Sequence, residues 1–128
     1  MRRTSFLGLV TRAYRSLPPE FLAWLQNVAI LVEDAPTREQ LRENGVRRGT
    51  LLGLYEGVPQ TEREGGWPLL PDRITLFQDA IEAEALEQGC SVFAVIRTTL
   101  AHEIGHHFGL DEAAVRALEA REAAREHD

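Results

Sequence analysis

Cysteine, methionine and long apolar runs are scarce in this chain of 128 residues. The one cysteine, Cys90, excludes a disulfide framework within the chain and fits a reducing compartment, so we predict a cytoplasmic protein. No apolar run approaches the roughly 20 residues that a membrane-spanning helix needs, which predicts no membrane partner. The apolar stretch at residues 6–10 is also too short for the core of a secretory signal peptide.

Lysine is missing altogether, and all 14 basic residues are arginine. The formal net charge of −6 argues against general binding to nucleic acid, so we expect no nucleic-acid partner. The length corresponds to about one domain, and neither a repeat nor a low-complexity linker divides it. We therefore predict a single domain over residues 1–128.

Hydrophobic spacing and turn residues predict an α+β fold. Helical spacing predicts helices at residues 4–16, 20–26, 37–44, 79–88, 91–108 and 111–126. Strands are predicted at residues 28–32, 50–57 and 73–77, of which the first is an apolar, β-branched run typical of a buried strand. Because these elements do not alternate regularly, we expect a small, three- to four-stranded sheet packed against helices.

A long segment without a predicted helix or strand separates the second and third strands. Residues 58–72 are rich in proline, glycine and charge around Trp67. Loops of about fifteen residues are uncommon inside compact domains and are often functional. This loop is therefore a candidate for substrate contact or for regulating access to a site. The alternative is a surface loop without a functional role.

Three of the four histidines lie close together, at positions 102, 106 and 107. His102 and His106 are four residues apart, so on a helix they project from one face, one turn apart. Two neutral imidazoles in that arrangement can bind one zinc ion, and Glu103 lies where its carboxylate can reach a water molecule that the metal activates. This pattern predicts a metal site with His102 and His106 as ligands and Glu103 as the general base.

The predicted helix that carries this motif is apolar over most of its surface. A stripe of Val92, Val95, Ile96 and Thr99 continues into the motif. We therefore expect this helix to be central and largely buried, where two histidines and a glutamate need partners. A bound metal supplies such a partner. The alternative is a core histidine pair that backbone carbonyls satisfy, with Glu103 in a salt bridge.

A zinc site needs at least a third protein ligand. Gly109 is placed to end the helix in a left-handed conformation, and two carboxylates follow at once, on Asp111 and Glu112. Asp111 also fits the N-cap of the last predicted helix, a role that competes for its side chain. Glu112 is therefore preferred as the third ligand, with Asp111 as the alternative.

The other polar residues near the motif have more than one interpretation. His107 lies about 100° around the helix from its neighbour, which fits a position behind the ligands or in the core better than a ligand position. Tyr55 and Arg63 are candidates for stabilising an oxyanion, although a packed tyrosine and a solvated arginine are the simpler interpretations. Cys90 precedes the predicted helix and is interpreted as a buried free thiol.

The segment HEIGHHFGLDE at residues 102–112 resembles the H-E-x-x-H-x-x-G-x-x-(H/D/E) signature of zincin metallopeptidases. More closely, the chain is similar to the minimal zincins, a group of small, mostly bacterial, metallopeptidase-like proteins. The similarity extends to LGLYEGVP at residues 52–59 and LPDRITLF at residues 70–77, which are like two segments that precede the metal helix in that family. It spans most of the chain, from about residue 20 to residue 118.

The resemblance implies a bacterial protein of minimal zincin fold, with zinc bound by His102, His106 and Glu112 and with Glu103 as the general base. A carboxylate stands where the metzincins have a third histidine, which favours the admission of other divalent ions beside zinc. A Met-turn is not possible, because the only methionine is Met1. We expect upstream residues to hold the substrate instead, in the long loop or along the sheet edge, where an extended peptide can add as a strand.

These observations predict a zinc-dependent metallopeptidase that acts on a peptide or protein. One alternative is a non-catalytic, regulatory metal-binding protein with a relic zincin site, which the shortness of the chain motivates. A weaker alternative is a metal-dependent ribonuclease, because a ribosome-maturation endonuclease family carries a run of three histidines, H-x3-H-x5-H. Glu112 stands in place of the last histidine here, and the chain is acidic.

Overall fold

The computed structural model describes residues 1–57, 71–109, 113 and 116–117. Its elements in chain order are α1 (Arg3–Arg15), α2 (Pro19–Trp24), β1 (Val28–Glu33), α3 (Arg38–Glu43), β2 (Gly53–Glu56), β3 (Asp72–Phe77), α4 (Gln78–Gln88) and α5 (Val92–His107). The predicted α+β class is confirmed, and each of these elements begins and ends within three residues of its predicted bounds. Residues 58–70 of the predicted loop, and all but three residues of the predicted last helix, lie outside the described residues.

Short-range hydrogen bonds explain where two of the helices begin. Thr37 and Gln40 form the expected capping box of α3, because the Thr37 hydroxyl accepts from the Gln40 N–H at 3.0 Å and the Gln40 side chain accepts from the Thr37 N–H at 2.9 Å. Ser91 caps α5, where its hydroxyl oxygen accepts from the Ala94 N–H at 3.0 Å. Beyond the other end of α5, Gly109 has a φ of +81°, a left-handed conformation that glycine adopts without strain.

The three described strands form a mixed sheet in the order β1-β3-β2. β1 runs parallel to β3 with Ile30 opposite Ile74, and β2 runs antiparallel to β3 with Leu54 opposite Thr75. The prediction that β1 is a buried strand is wrong, since Leu31 is 43% exposed. In the described sheet β1 lies at an edge, and the strand whose residues are mostly buried is β3.

The core lies between this sheet and the helices. Its largest fully buried side chains are Phe6, Phe21, Ile74, Leu76, Phe77, Ile81, Ile96, Leu100 and Ile104. Helix α5 contacts α1, α2, α4, β2 and β3, so neighbours on several sides determine where its last turn lies. Within the ranges that the structure describes, no helix is long and apolar enough to cross a membrane.

Cys90 is exposed, which makes the prediction of a buried thiol wrong. The residue lies in the short connection between α4 and α5, where neither helix covers it. The apolar character of cysteine is a poor guide to burial in such a turn, because the position of the backbone decides the exposure of so short a side chain.

Candidate active site

The two motif histidines project from the last turns of α5. Their ring centroids are 6.1 Å apart, and the ring planes are inclined by 50°. His102 is half-buried and His106 is exposed. An exposed imidazole does not need a buried carbonyl to satisfy it, so this geometry argues against the alternative of a core histidine pair.

The donor chemistry of this pair fits zinc. With Zn–N distances of about 2.0–2.1 Å and tetrahedral angles, the centroids of two bound imidazoles lie about 5 Å apart. The observed separation of 6.1 Å is about 1 Å wider than that. His102 and His106 are therefore candidates for binding one ion together.

The other ligands that the motif predicts cannot be placed from this structure. Glu112 and its alternative Asp111 lie outside the described residues, as does Arg63. Among residues 1–57 and 71–109, no group of three histidine, cysteine, aspartate or glutamate side chains is arranged to hold a metal. The described part of the site is thus a pair of histidines with an adjacent carboxylate.

Glu103 lies beside these histidines with its carboxylate half-buried. Its Oε2 atom accepts a hydrogen bond from the backbone N–H of Tyr55 at 3.2 Å. Burial raises the pKa of Glu103 above its usual value, although the Tyr55 N–H and the charge of His106 oppose the rise. A carboxylate with a raised pKa is a stronger base, which suits a group that must take a proton from water.

The hydrogen bond to Glu103 depends on a close approach of β2 to α5 at Gly53. A Cβ atom at this position would lie 2.7 Å from Cγ2 of Thr99 and 3.5 Å from Cγ of Glu103. A side chain here would push the strand away from the helix, so glycine allows the N–H two residues later to reach the carboxylate. Sequence reasoning missed this contact, and the available signal was a glycine inside a predicted strand.

The side chain of Tyr55 is held by Asp72 and His107. The phenolic hydroxyl donates to Oδ2 of Asp72 at 3.1 Å, and the ring stacks on the imidazole of His107 with centroids 3.7 Å apart and planes inclined by 13°. The Nε2 atom of His107 is 3.8 Å from the same Asp72 oxygen. We call these three residues the tyrosine clamp. It ties β2, β3 and the end of α5 together, and Asp72 is a member that sequence reasoning did not identify.

Aromatic contacts anchor the end of α5 on α2. Phe108, just after the last turn, stacks on Trp24 with centroids 5.3 Å apart, and Trp24 in turn packs edge-on against Phe21 at 5.5 Å. Phe21 is fully buried. The motif is therefore attached to the core through a row of three rings.

An open hollow of about 350 Å³ adjoins the motif. Residues 50–53 line it on one side, and Thr98, Thr99, His102 and Glu103 of α5 line it on the other. A ligand in this hollow can meet the candidate ligand His102 and the candidate base Glu103 at the same time.

An H-E-x-x-H helix that lies beside a sheet strand in a small α+β fold is an arrangement typical of zinc metallopeptidases. The chain belongs to the zincin-like metallopeptidase family, whose sequence profile matches residues 25–122. This match confirms the resemblance seen in the motif, and zinc is the cofactor that the family implies in general.

Comparison with solved structures supports the fold. A conserved hypothetical protein from Thermus thermophilus is similar, with a TM-score of 0.53 and 23% sequence identity over 94% of this chain and 99% of that chain. At that identity the similarity concerns the fold alone. No curated protein matches the chain significantly.

Proposed function

We propose that this protein is a zinc-dependent metallopeptidase in which His102, His106 and Glu112 bind the metal and Glu103 is the general base. Asp111 is the alternative third ligand. The observation that carries the proposal is the half-buried carboxylate of Glu103, which lies beside two imidazoles whose ring centroids are 6.1 Å apart and faces an open hollow. Membership of the family supports the class of reaction.

When bound, a zinc ion would supply a Lewis acid that polarises the substrate carbonyl and acidifies water. Glu103 would take a proton from the attacking water and pass it to the leaving amine. The raised pKa of Glu103 in the metal-free protein favours the first transfer, because it strengthens the base. The Tyr55 N–H fixes Oε2 of Glu103 and leaves the other carboxylate oxygen for the proton.

The tyrosine clamp supports a positioning role for Tyr55. Its hydroxyl donates to Asp72 and its ring lies against His107, so the side chain is directed to its own neighbours. The N–H of the same residue serves Glu103. We therefore assign His107 and Tyr55 to the support of the base, and Arg63 remains the candidate for contact with an oxyanion. We propose a peptide or protein substrate in the cytoplasm.

The test is hydrolysis of a random peptide mixture by zinc-loaded protein, with the products identified by mass spectrometry. We expect the wild type to cleave and Glu103→Gln to retain zinc while cleaving at least about 100-fold more slowly, the usual contribution of a general base. Glu87→Gln, the same change at an exposed site on α4, is the matched control and should cleave like the wild type. Equal rates in wild type and Glu103→Gln would refute the role of Glu103.

The same measurement separates the peptidase from a relic site. A relic site would bind zinc and lose stability on chelation, yet it would leave the whole mixture intact. Zinc content and melting temperature are therefore recorded on the samples that are tested for cleavage.

A further inference from the structure

The hollow at the motif continues along α5 into a second one. The second hollow measures about 260 Å³ and is lined by Glu84, Gln88 and Cys90 together with residues of α5. Both hollows share Leu52 and two threonines, Thr98 and Thr99, as lining residues. The two hollows adjoin at these residues, and we call them together the α5 groove.

The dimensions of the α5 groove fit a short stretch of extended peptide. Its wall on α5 runs from Ala94 to Glu103, at positions 94, 95, 98, 99, 102 and 103, which share one face of the helix. At a rise of about 1.5 Å per residue this wall is roughly 13 Å long. An extended peptide advances about 3.3 Å per residue, so roughly four residues fill the groove.

The chemistry of the groove changes along its length. Near the motif lie His102 and Glu103, and the middle is walled by Leu52 and Val95. At the far end stands the half-buried carboxylate of Glu84.

The hydrogen-bond partner of the Glu84 carboxylate among the described residues is neutral. Its Oε1 atom accepts a hydrogen bond from the side-chain amide of Gln88 at 2.7 Å, which is a neutral donor. Among the described residues no arginine forms an ion pair with it. A carboxylate in that setting attracts a cationic side chain of a bound peptide.

We propose that the α5 groove binds the substrate as an extended peptide and selects a lysine or arginine side chain, placed three to four residues from the scissile bond, through Glu84. Small or apolar residues occupy the positions between. This inference rests on the proposed function, because it takes the motif end of the groove as the place of cleavage. Its continuity with the candidate active site and the charge at its far end identify the occupant.

The specificity test compares the cleavage products of a random peptide mixture in three proteins. The wild type is expected to enrich lysine and arginine three or four residues to one side of the cleaved bond. In Glu84→Gln the enrichment should fall about three- to tenfold. This factor corresponds to the interaction free energy of a half-buried ion pair, which is at or above the upper end of the range for exposed ion pairs. Glu87→Gln removes the same charge from an exposed site of α4 outside the groove and should keep the enrichment. Cleavage without this preference, or equal effects of the two variants, would refute the selection by Glu84. The proposed peptidase activity would still hold in either case.

Cys90 provides a second measurement that needs no turnover. The thiol is exposed and lines the far end of the groove, so a peptide bound there should slow its alkylation. In Glu103→Gln, peptides with an arginine at the selected position should slow the reaction of Cys90 with iodoacetamide more than matched peptides with glutamate. If no protein cleaves peptides but this protection persists, the proposed peptidase fails and the groove stands as a peptide-binding site. If neither cleavage nor protection of Cys90 is observed, the proposed peptidase and the proposed peptide-binding groove both fail. If the arginine and glutamate peptides slow the alkylation equally, the proposed selection by Glu84 is refuted.

Discussion

Adding one methyl group at Gly53 tests how closely β2 must approach the candidate active site. In Gly53→Ala the new Cβ atom would lie 2.7 Å from Cγ2 of Thr99 and 3.4 Å from the backbone oxygen of Thr75. The first distance is too short for two carbon atoms. Thr99 is buried and its hydroxyl donates to the Val95 carbonyl at 2.7 Å, so the methyl group cannot easily turn away. Either the threonine or the strand has to move.

The magnitude follows from these contacts. Overpacking of this kind costs about 1–3 kcal/mol of unfolding free energy. The lower entropy of the unfolded chain after a Gly→Ala change offsets about 0.4–1 kcal/mol, which leaves a net loss between about zero and 2.6 kcal/mol. For a domain of this size, we expect the melting temperature to fall by about 4 °C per kcal/mol, or at most roughly 10 °C in all.

The assay is thermal and urea unfolding of four matched variants. Thr99→Ser removes Cγ2 but keeps the hydroxyl that bonds to Val95, so the Gly53→Ala change should cost at least about 1 kcal/mol less in that background. Gly8→Ala is the control for the substitution itself. It lies within α1, where an added Cβ atom would meet open space, and should raise stability by about 0.5–1 kcal/mol. If Gly53→Ala stabilises the protein as much as Gly8→Ala does, or if Thr99→Ser does not relieve its effect, the close contact between β2 and α5 is refuted.

Three further outcomes are expected. In metal-free protein, Glu103→Gln should raise the melting temperature at pH 7 but not below about pH 4. A carboxyl group whose pKa is raised in the folded state loses its stabilising contribution as pH rises through that pKa, and glutamine avoids this loss. No gain in melting temperature at pH 7 would contradict this reasoning. Tyr55→Phe should lower the free energy of unfolding in urea by about 0.5–1.5 kcal/mol, because the hydrogen bond to Asp72 is lost. Tyr14→Phe, the same change at a tyrosine packed against the core, should alter it by less than about 0.5 kcal/mol. Equal effects of the two variants would argue against the tyrosine clamp. Zinc at 100 times its Kd should raise the melting temperature by about 10 °C, and a chelator should reverse the rise, whereas an unchanged melting temperature would show that zinc does not bind the folded state.

Much of the fold follows from short-range signals in the sequence. The capping residues Thr37 and Ser91 and the terminating Gly109 act within one helical turn, so their effects can be predicted without knowing the tertiary structure. The spacing of His102 and His106 on one helix face is local in the same sense. These features explain why the bounds of the helices agreed with the prediction.

Contacts between distant segments could not be predicted in this way. The burial of β1 was misjudged because an apolar run does not reveal whether a strand lies at the centre or the edge of a sheet. The partners of Glu103 were missed because Tyr55 is 48 residues away in the chain. The contact of Gly53 with Thr99 and the role of Asp72 also depend on strand order and register, which single-sequence patterns leave open.

The exposure of Cys90 illustrates a third limit. Its side-chain chemistry favours burial, but its place in a connection between two helices decides the outcome. The same reasoning applies to His107, whose helical position alone allowed either the core or the neighbourhood of the ligands. Only the tertiary structure shows it stacked on Tyr55.

The most direct test of the central claim is the zinc content of protein purified without chelator or added metal, measured by elemental analysis. We predict near-stoichiometric zinc in the wild type, strong loss in His102→Ala and His106→Ala, and no loss in His127→Ala, which changes the histidine outside the motif. Glu112→Ala should also lose zinc. If Asp111→Ala loses zinc and Glu112→Ala does not, Asp111 is the third ligand. A wild-type protein that contains no zinc and takes it up no better than His102→Ala would contradict the account.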